Sequence, residues 1–256
     1  MVATPGSAGD NFTVPVAGEV IPGWVMKDGS RMAGLRLTLS PGWKTYWRAP
    51  GDAGIPPEFD WSASRNLNSI SVNWPTPKVF DQNGMRSVGY EDTLVIPLHI
   101  EPKRDEKPVT LKATLEMGVC ADVCVPHTMQ FEANISTDSL TPTPAIAAAL
   151  AQRPYTSDEA GVTAAECLIS PTKDGLRIEA RITMPSAGES EYVVIEPGQD
   201  NVWVSEAKTK RQGRTVTAIS EMVHIEGGPI ALDRSNVRIT VLGSKYAVDV
   251  KGCTAS

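Results

Sequence analysis

The chain has 256 residues, 41% of them hydrophobic, and a net charge of −6 with no long block of one sign. That length suits one large or two modest domains, and the mildly acidic balance excludes the basic face that a nucleic-acid partner requires. No run of about 18 apolar residues is present, which excludes a membrane-spanning helix from this stretch.

The opening, MVATPGSAGDNFTVPVAGEV, lacks the basic start and apolar segment of a signal peptide. It reads as a start methionine on a flexible mature N-terminus, and the chain as a soluble piece of a longer exported protein. Glycine (21) and proline (20) are frequent. Helix-forming stretches are scarce and short Val/Ile/Leu/Thr runs recur between turn signals, so the expected class is all-β.

In chain order, RMAGLRLTLS puts Leu35, Leu37 and Leu39 on one face and Arg36 and Thr38 on the other, a half-buried strand. Pro41–Ser62 is too rich in Pro and Gly for a regular element. Its Trp43, Tyr46, Trp47, Phe59 and Trp61 must be packed or used in contacts. Gly51–Gly54 (GDAG) suggests a turn that needs glycine torsions. Ser69–Phe80 predicts a strand followed by a loop. Thr93–Pro102 predicts another, with Pro97 marking an edge or a bulge. Val109–Cys120 alternates cleanly, and Thr128–Ser136 alternates again. Cys120 and Cys124 therefore stand at the tip of a hairpin-like connection.

Thr141–Pro154 differs. Thr143 can cap, Pro144 suits the first helical position, the alanines favour helix and Pro154 stops it. This predicts a short helix joining two domains, with boundaries at 1–140, 141–155 and 156–256. Strands follow at Gly175–Met184, Glu191–Pro197, Thr215–Val223 and Asn236–Val250, with a basic hairpin tip at Lys208–Arg214. About seven strands per half is the pattern of a sandwich. Trp24, Trp74 and Trp203 are expected in the core, and His99 and His224 in structural roles. No Ser/His/Asp set suggests hydrolase chemistry.

The four cysteines are Cys120, Cys124, Cys167 and Cys253. An even count is compatible with two disulfides in an oxidising compartment, and three pairings are open. Along a straight strand, residues four apart lie ~13 Å apart, beyond the roughly 4.4–6.8 Å that a disulfide requires between Cα atoms. Cys120 and Cys124 can bond only if Ala121–Val123 turns, and Asp122 suits a turn. So short a loop removes little unfolded-state entropy, which fits exchange better than stapling. Both sulfurs are then expected at an accessible edge. A Cys167–Cys253 bond would close about 87 residues, worth roughly 4–5 kcal/mol by chain-entropy reasoning, and reads as structural. A metal reading stays open beside these. Met117, Cys120, Cys124, His127 and Met129 cluster in sequence, and soft sulfur suits Cu(I); zinc lacks a second Cys/His group of suitable spacing.

PGWKTYWRAPGDAGIPPEFDW together with GVCADVCVP resembles the N-terminal periplasmic region of the DsbD/ScsB group of thiol–disulfide membrane reductases, the ScsB branch most closely. The resemblance extends over nearly the whole chain, including NVWVSEAKTKRQG and YAVDVKGC. It implies two tandem immunoglobulin-like β-sandwich domains joined by a short helical linker. It implies that Cys120 and Cys124 are the catalytic redox pair, with no cofactor and no resident metal. Electrons would come from the membrane domain and thioredoxin-like domain of the same full-length protein. They would pass to soluble periplasmic partners of thioredoxin fold, such as ScsC-like isomerases or reductases or peroxiredoxin-like proteins. The family shields its pair with a phenylalanine-bearing cap loop, whose counterpart here is KVFDQNG with Phe80. Tyr46 and Trp47 match aromatic positions flanking the pair.

By the same analogy Cys124 exchanges first and Cys120 resolves. Asp122 would disfavour a thiolate, and a protonated His127 would favour one if it folded back. The alternatives are a periplasmic Cu(I)-binding module and a non-catalytic docking module.

Overall fold

The structure, a computed structural model, describes residues 15–51, 54–82, 84–199 and 201–255. The expected loose N-terminus and the middle of the GDAG turn lie outside these residues. What is described is almost entirely β, with one α-helix.

The first half contributes β1 (Val16–Val25), β2 (Arg31–Leu39), β3 (Lys44–Tyr46), β4 (Glu58–Asp60), β5 (Leu67–Val72), β6 (Lys78–Gln82), β7 (Met85–Glu91), β8 (Thr93–Pro102), β9 (Val109–Cys120) and β10 (Cys124–Ile135). One sheet runs β1-β2-β8-β5; the other runs β10-β9-β3-β7-β6, with β4 added on β9. The period-two pattern decides what lies between them. Leu35 and Leu37 of β2, Ile96 and Leu98 of β8, and Leu111 and Leu115 of β9 are all buried in one cluster. Each such side chain contributes roughly 1.5–3 kcal/mol relative to an exposed one. Beneath this core Arg31 is fully buried, and its guanidinium donates to the carbonyls of Ile135, Asp105 and Lys107.

The helix α1 (Pro144–Ala151) lies between the halves in sequence. Its Ile146 is buried against Ile21 and Met32, so α1 covers part of the first sheet. Thr143 stands at the N-cap position without a side-chain cap; its hydroxyl donates to the Pro22 carbonyl instead. The second half consists of β11 (Tyr155–Thr156), β12 (Ala164–Pro171), β13 (Leu176–Thr183), β14 (Glu191–Glu196), β15 (Val202–Val204), β16 (Lys208–Gln212), β17 (Thr215–His224), β18 (Arg238–Gly243), β19 (Ala247–Lys251) and β20 (Thr254–Ala255). Its sheets run β11-β19-β18-β14 and β15-β17-β13-β12-β20, with β16 added on β17. Ile178, Ile182, Val216 and Val241 fill a second cluster. Tyr192, Leu242 and Ala247 belong to the first half's cluster, so the halves share buried apolar contact.

Several expectations change. Among the described residues there are ten strands in each half rather than seven. Asn236–Val250 is a hairpin of β18 and β19, not one strand. Pro97 is not at a bulge, and β8 is an inner strand, but at Pro97 itself the ladder is formed only with β2. The Pro97 carbonyl accepts from Asn73 N–H, but the residue has no N–H to return, and the β5 ladder stops one residue earlier at Val72. KVFDQ is strand β6 rather than loop, paired with β7. Trp203 is 45% exposed rather than core. His99 and His224 are engaged, with Ser30 and Asn201 respectively.

Candidate functional site

β9 and β10 form a hairpin in register from Val109↔Ile135 to Cys120↔Cys124. The cysteines are thus the last cross-strand pair before the turn, where Ala121 N–H donates to the Val123 carbonyl at 3.2 Å. Facing positions bring their Cα atoms to 4.1 Å, and the sulfurs are bonded. The two differ sharply in exposure. Cys120 is 0% exposed, whereas Cys124 is exposed. The expectation of two accessible sulfurs is therefore corrected. β10 is the edge of its sheet, but β9 is covered on its other side by β3, with Lys44 opposite Cys120.

The side chain that meets the sulfurs is Tyr46. Its hydroxyl lies 3.0 Å from Cys120 Sγ and 3.2 Å from Cys124 Sγ. The ring fits because Gly118 has no side chain: a Cβ there would sit 2.8 Å from Ile55 and 3.0 Å from the Tyr46 ring. Burial raises the Tyr46 pKa, which keeps the phenol protonated and able to donate.

Lys44 shares this face with Tyr46 by the period of two. It is buried, and its ammonium donates to Ser87 Oγ at 3.2 Å and stands 5.1 Å from the centre of the Phe80 ring. Burial lowers its pKa. Phe80 itself stands on β6, three strands from β9 in the sheet order, and reaches the surroundings of the pair through Lys44. A cavity of about 310 Å³ lined by Pro41, Gly42, Lys44, Cys120, Ala121 and Asp122 opens beside the disulfide. Lys44 was not foreseen from sequence. The signal was the alternation in WKTYW, which sends Trp43, Thr45 and Trp47 one way and Lys44 and Tyr46 the other.

That alternation corrects Trp47. It is wholly buried in the core on the far side of the sheet from the cysteines, beneath the Arg48 guanidinium. His127 does not fold back. It faces Met117 across the ladder, on the opposite side of the hairpin from Cys120 and Cys124. The pattern Met117, Cys120, Cys124, His127, Met129 is thereby split: both cysteines point one way, and the two methionines and the histidine the other. Among the described residues no cluster of three or more His, Cys, Asp or Glu is placed to hold a metal.

Cys167 and Cys253 are joined as well, with Cα atoms 5.7 Å apart and a sequence separation of 86. The bond ties β12 to the segment just before β20. Cys167 is fully buried in the second core, and the parallel pairing Cys167↔Ala255 lies beside it.

A disulfide at the end of a hairpin, one of its cysteines exposed and both sulfurs touched by a buried phenol, is equipped for thiol–disulfide exchange. Residues 15–135 match the family described as "Thiol:disulfide interchange protein DsbD, N-terminal". Over that stretch, 121 of the 256 residues, the chain resembles the N-terminal domain of DsbD. The crystal structure of the N-terminal periplasmic domain of ScsB from Proteus mirabilis superposes with a TM-score of 0.67 at 20% identity, covering 94% of this chain and 93% of that one. The likeness shows that the two share a fold beyond the matched family region. No curated protein matches the sequence. Among the described residues no helix is long and apolar enough to cross a membrane.

Proposed function

We propose that the chain is a periplasmic electron-relay module with protein-disulfide reductase activity. Its N-terminal immunoglobulin-like domain (1–140) carries the Cys120/Cys124 redox pair, a helical linker spans 141–155, and a second immunoglobulin-like domain (156–256) is stapled by Cys167–Cys253. The observation that carries this reading is the asymmetry of the pair: Cys124 is an exposed residue, while Cys120 is fully enclosed with its sulfur under Tyr46.

The chemistry follows from that asymmetry. In the reduced module the Cys124 thiolate attacks a partner disulfide, forms a mixed disulfide and expels one partner thiolate. The Cys120 thiolate then attacks Cys124 Sγ, re-forming the internal bond and releasing the second partner thiolate. Two electrons pass to the partner and the module ends oxidised. Recharging reverses the order: a donor thiolate attacks Cys124 Sγ, and Cys120 departs as the leaving group. In each step the Tyr46 hydroxyl donates to the sulfur that bears negative charge, where a charge-assisted bond is stronger than the contact to a neutral disulfide. Enclosure of Cys120 protects it from adventitious thiols, so exchange starts at Cys124. The partners are soluble proteins of thioredoxin fold, and the donor is the membrane-embedded part of a longer protein.

Trapping tests this. With reduced Cys120→Ser, an added thioredoxin-fold protein holding a disulfide is expected to accumulate as a mixed disulfide at Cys124. Cys124→Ser is expected to form none. Full transfer by the variant with both serines refutes the mechanism, and undiminished partner binding by that variant together with no transfer by the wild type identifies a docking module instead.

A further inference from the structure

The segment that carries Tyr46 does not end at the redox pair. Two residues later Arg48 crosses to the second half of the molecule. Its Nε and Nη2 donate to the two carboxylate oxygens of Glu196, both at 2.9 Å, and Nη2 also lies 3.2 Å from Thr240 Oγ1. Glu196 closes β14, and Thr240 sits on the neighbouring strand β18. Both charged side chains are largely enclosed, at 14% and 23% exposure. A planar guanidinium gripped on two edges has little rotational freedom, and partial burial strengthens the pair. The guanidinium lies 3.8 Å from the centre of the Trp47 ring. Trp47 is therefore held between the first core and a cation fixed by the second half. The chain then turns at Gly51 and returns so that Gly54 and Ile55 pack beside the Tyr46 ring.

A second tie runs parallel to the first. Arg86 belongs to β7, partner of the strand that bears Phe80. Its Nη1 lies 3.1 Å from Glu206 Oε1 and its guanidinium 5.6 Å from the centre of the Tyr192 ring. The segment ending in Tyr46–Arg48 and the β6–β7 hairpin that bears Phe80 are each anchored to the second half by an arginine.

We propose that Arg48 is a positioning residue: through its two-pronged pair with Glu196, the second half of the molecule holds Tyr46 against both sulfurs and so sets the exchange equilibrium of Cys120–Cys124. This rests on reading that pair as redox-active. The direction of the effect follows from Tyr46. Its hydroxyl stabilises a thiolate more than a disulfide, whose sulfurs accept weakly, so loosening the clamp costs the reduced form more. A module with a broken clamp is a stronger reductant and is harder to recharge.

The test uses the whole 256-residue chain. The equilibrium constant of Cys120–Cys124 with glutathione is measured for wild type, Glu196→Gln, Tyr46→Phe and the double variant, alongside the melting temperature. Glu196→Gln is expected to shift the equilibrium toward the disulfide by up to about tenfold, equivalent to about 30 mV for a two-electron couple. Adding Glu196→Gln to Tyr46→Phe is expected to add little, because both act through one hydroxyl. Arg48→Lys keeps the charge and loses the planar fork; it carries the same expectation and replaces Glu196→Gln if that variant folds poorly. A fall in melting temperature with an unchanged equilibrium constant overturns the proposal and leaves the clamp a purely structural contact. Additive shifts in the double variant overturn it too. If the wild type itself does not exchange with glutathione, the redox reading has failed, and the clamp proposal falls with it.

Discussion

At the scale of single residues, the site depends on which way each side chain of WKTYWR points. Tyr46 and Lys44 face the disulfide side, whereas Thr45 and Trp47 face the core, where Thr45 donates to the Gly118 carbonyl at 2.9 Å. Tyr46→Phe removes one oxygen and leaves the ring packing intact. A hydrogen bond to a charged group contributes about 1.5–3 kcal/mol, and one pKa unit corresponds to about 1.4 kcal/mol. Thiolate formation in the reduced variant is therefore expected about one unit or more higher in pH, with little loss of stability. Ultraviolet thiolate absorbance against pH reads this directly, and superimposable titrations of variant and wild type would remove Tyr46 from the mechanism. The cysteines themselves were legible as a hairpin-tip pair because strand alternation runs into Cys120 and resumes after Cys124. Their unequal exposure was not legible, because it arises from β3 pairing along β9 across more than 70 positions of sequence.

At the scale of elements, the β6–β7 hairpin borders the site through Phe80. Its tip carries Met85, 62% exposed, and the tip of the cysteine hairpin carries Val123, 68% exposed. Phe80 is connected to the disulfide strand pair through Lys44, and such a cation–aromatic contact contributes about 0.5–2 kcal/mol. Phe80→Ala is expected to speed alkylation of the reduced Cys124 thiol several-fold while the melting temperature falls only modestly. An unchanged alkylation rate would show that the hairpin does not shield the pair. KVFDQNG was expected to be a loop as the counterpart of the family's cap loop. Pairing with β7 overrides that expectation: Val79↔Val88 and Phe80↔Ser87 complete a sheet edge. Pro97 makes the complementary point. Proline is tolerated in a doubly paired strand here because its missing N–H falls where the neighbouring strand ends.

At the scale of the whole molecule, two disulfides serve different ends. Cys120–Cys124 closes a turn; Cys167–Cys253 holds the beginning and end of the second half together. On stepwise reduction the first is expected to open before the second. Replacing both Cys167 and Cys253 by serine is expected to lower stability by about 2–5 kcal/mol in denaturant unfolding. A loss below about 1 kcal/mol would argue against a stapling role. The two halves also meet through the Arg48–Glu196 pair and through apolar residues of β14, β18 and β19 inside the first cluster.

By itself the sequence determined the all-β class, the hairpin carrying the cysteine pair, the helix after it and the long-range character of the remaining pair. These follow from period-two alternation, turn chemistry and spacing, which are local. Tertiary structure alone decided that Tyr46 rather than Trp47 meets the sulfurs, that Cys120 is closed while Cys124 is open, that His127 turns away, and that Arg48 reaches the second half. Each of these depends on which strand lies beside which, and strand neighbours distant in sequence are chosen by the global burial of apolar faces, not by any local pattern.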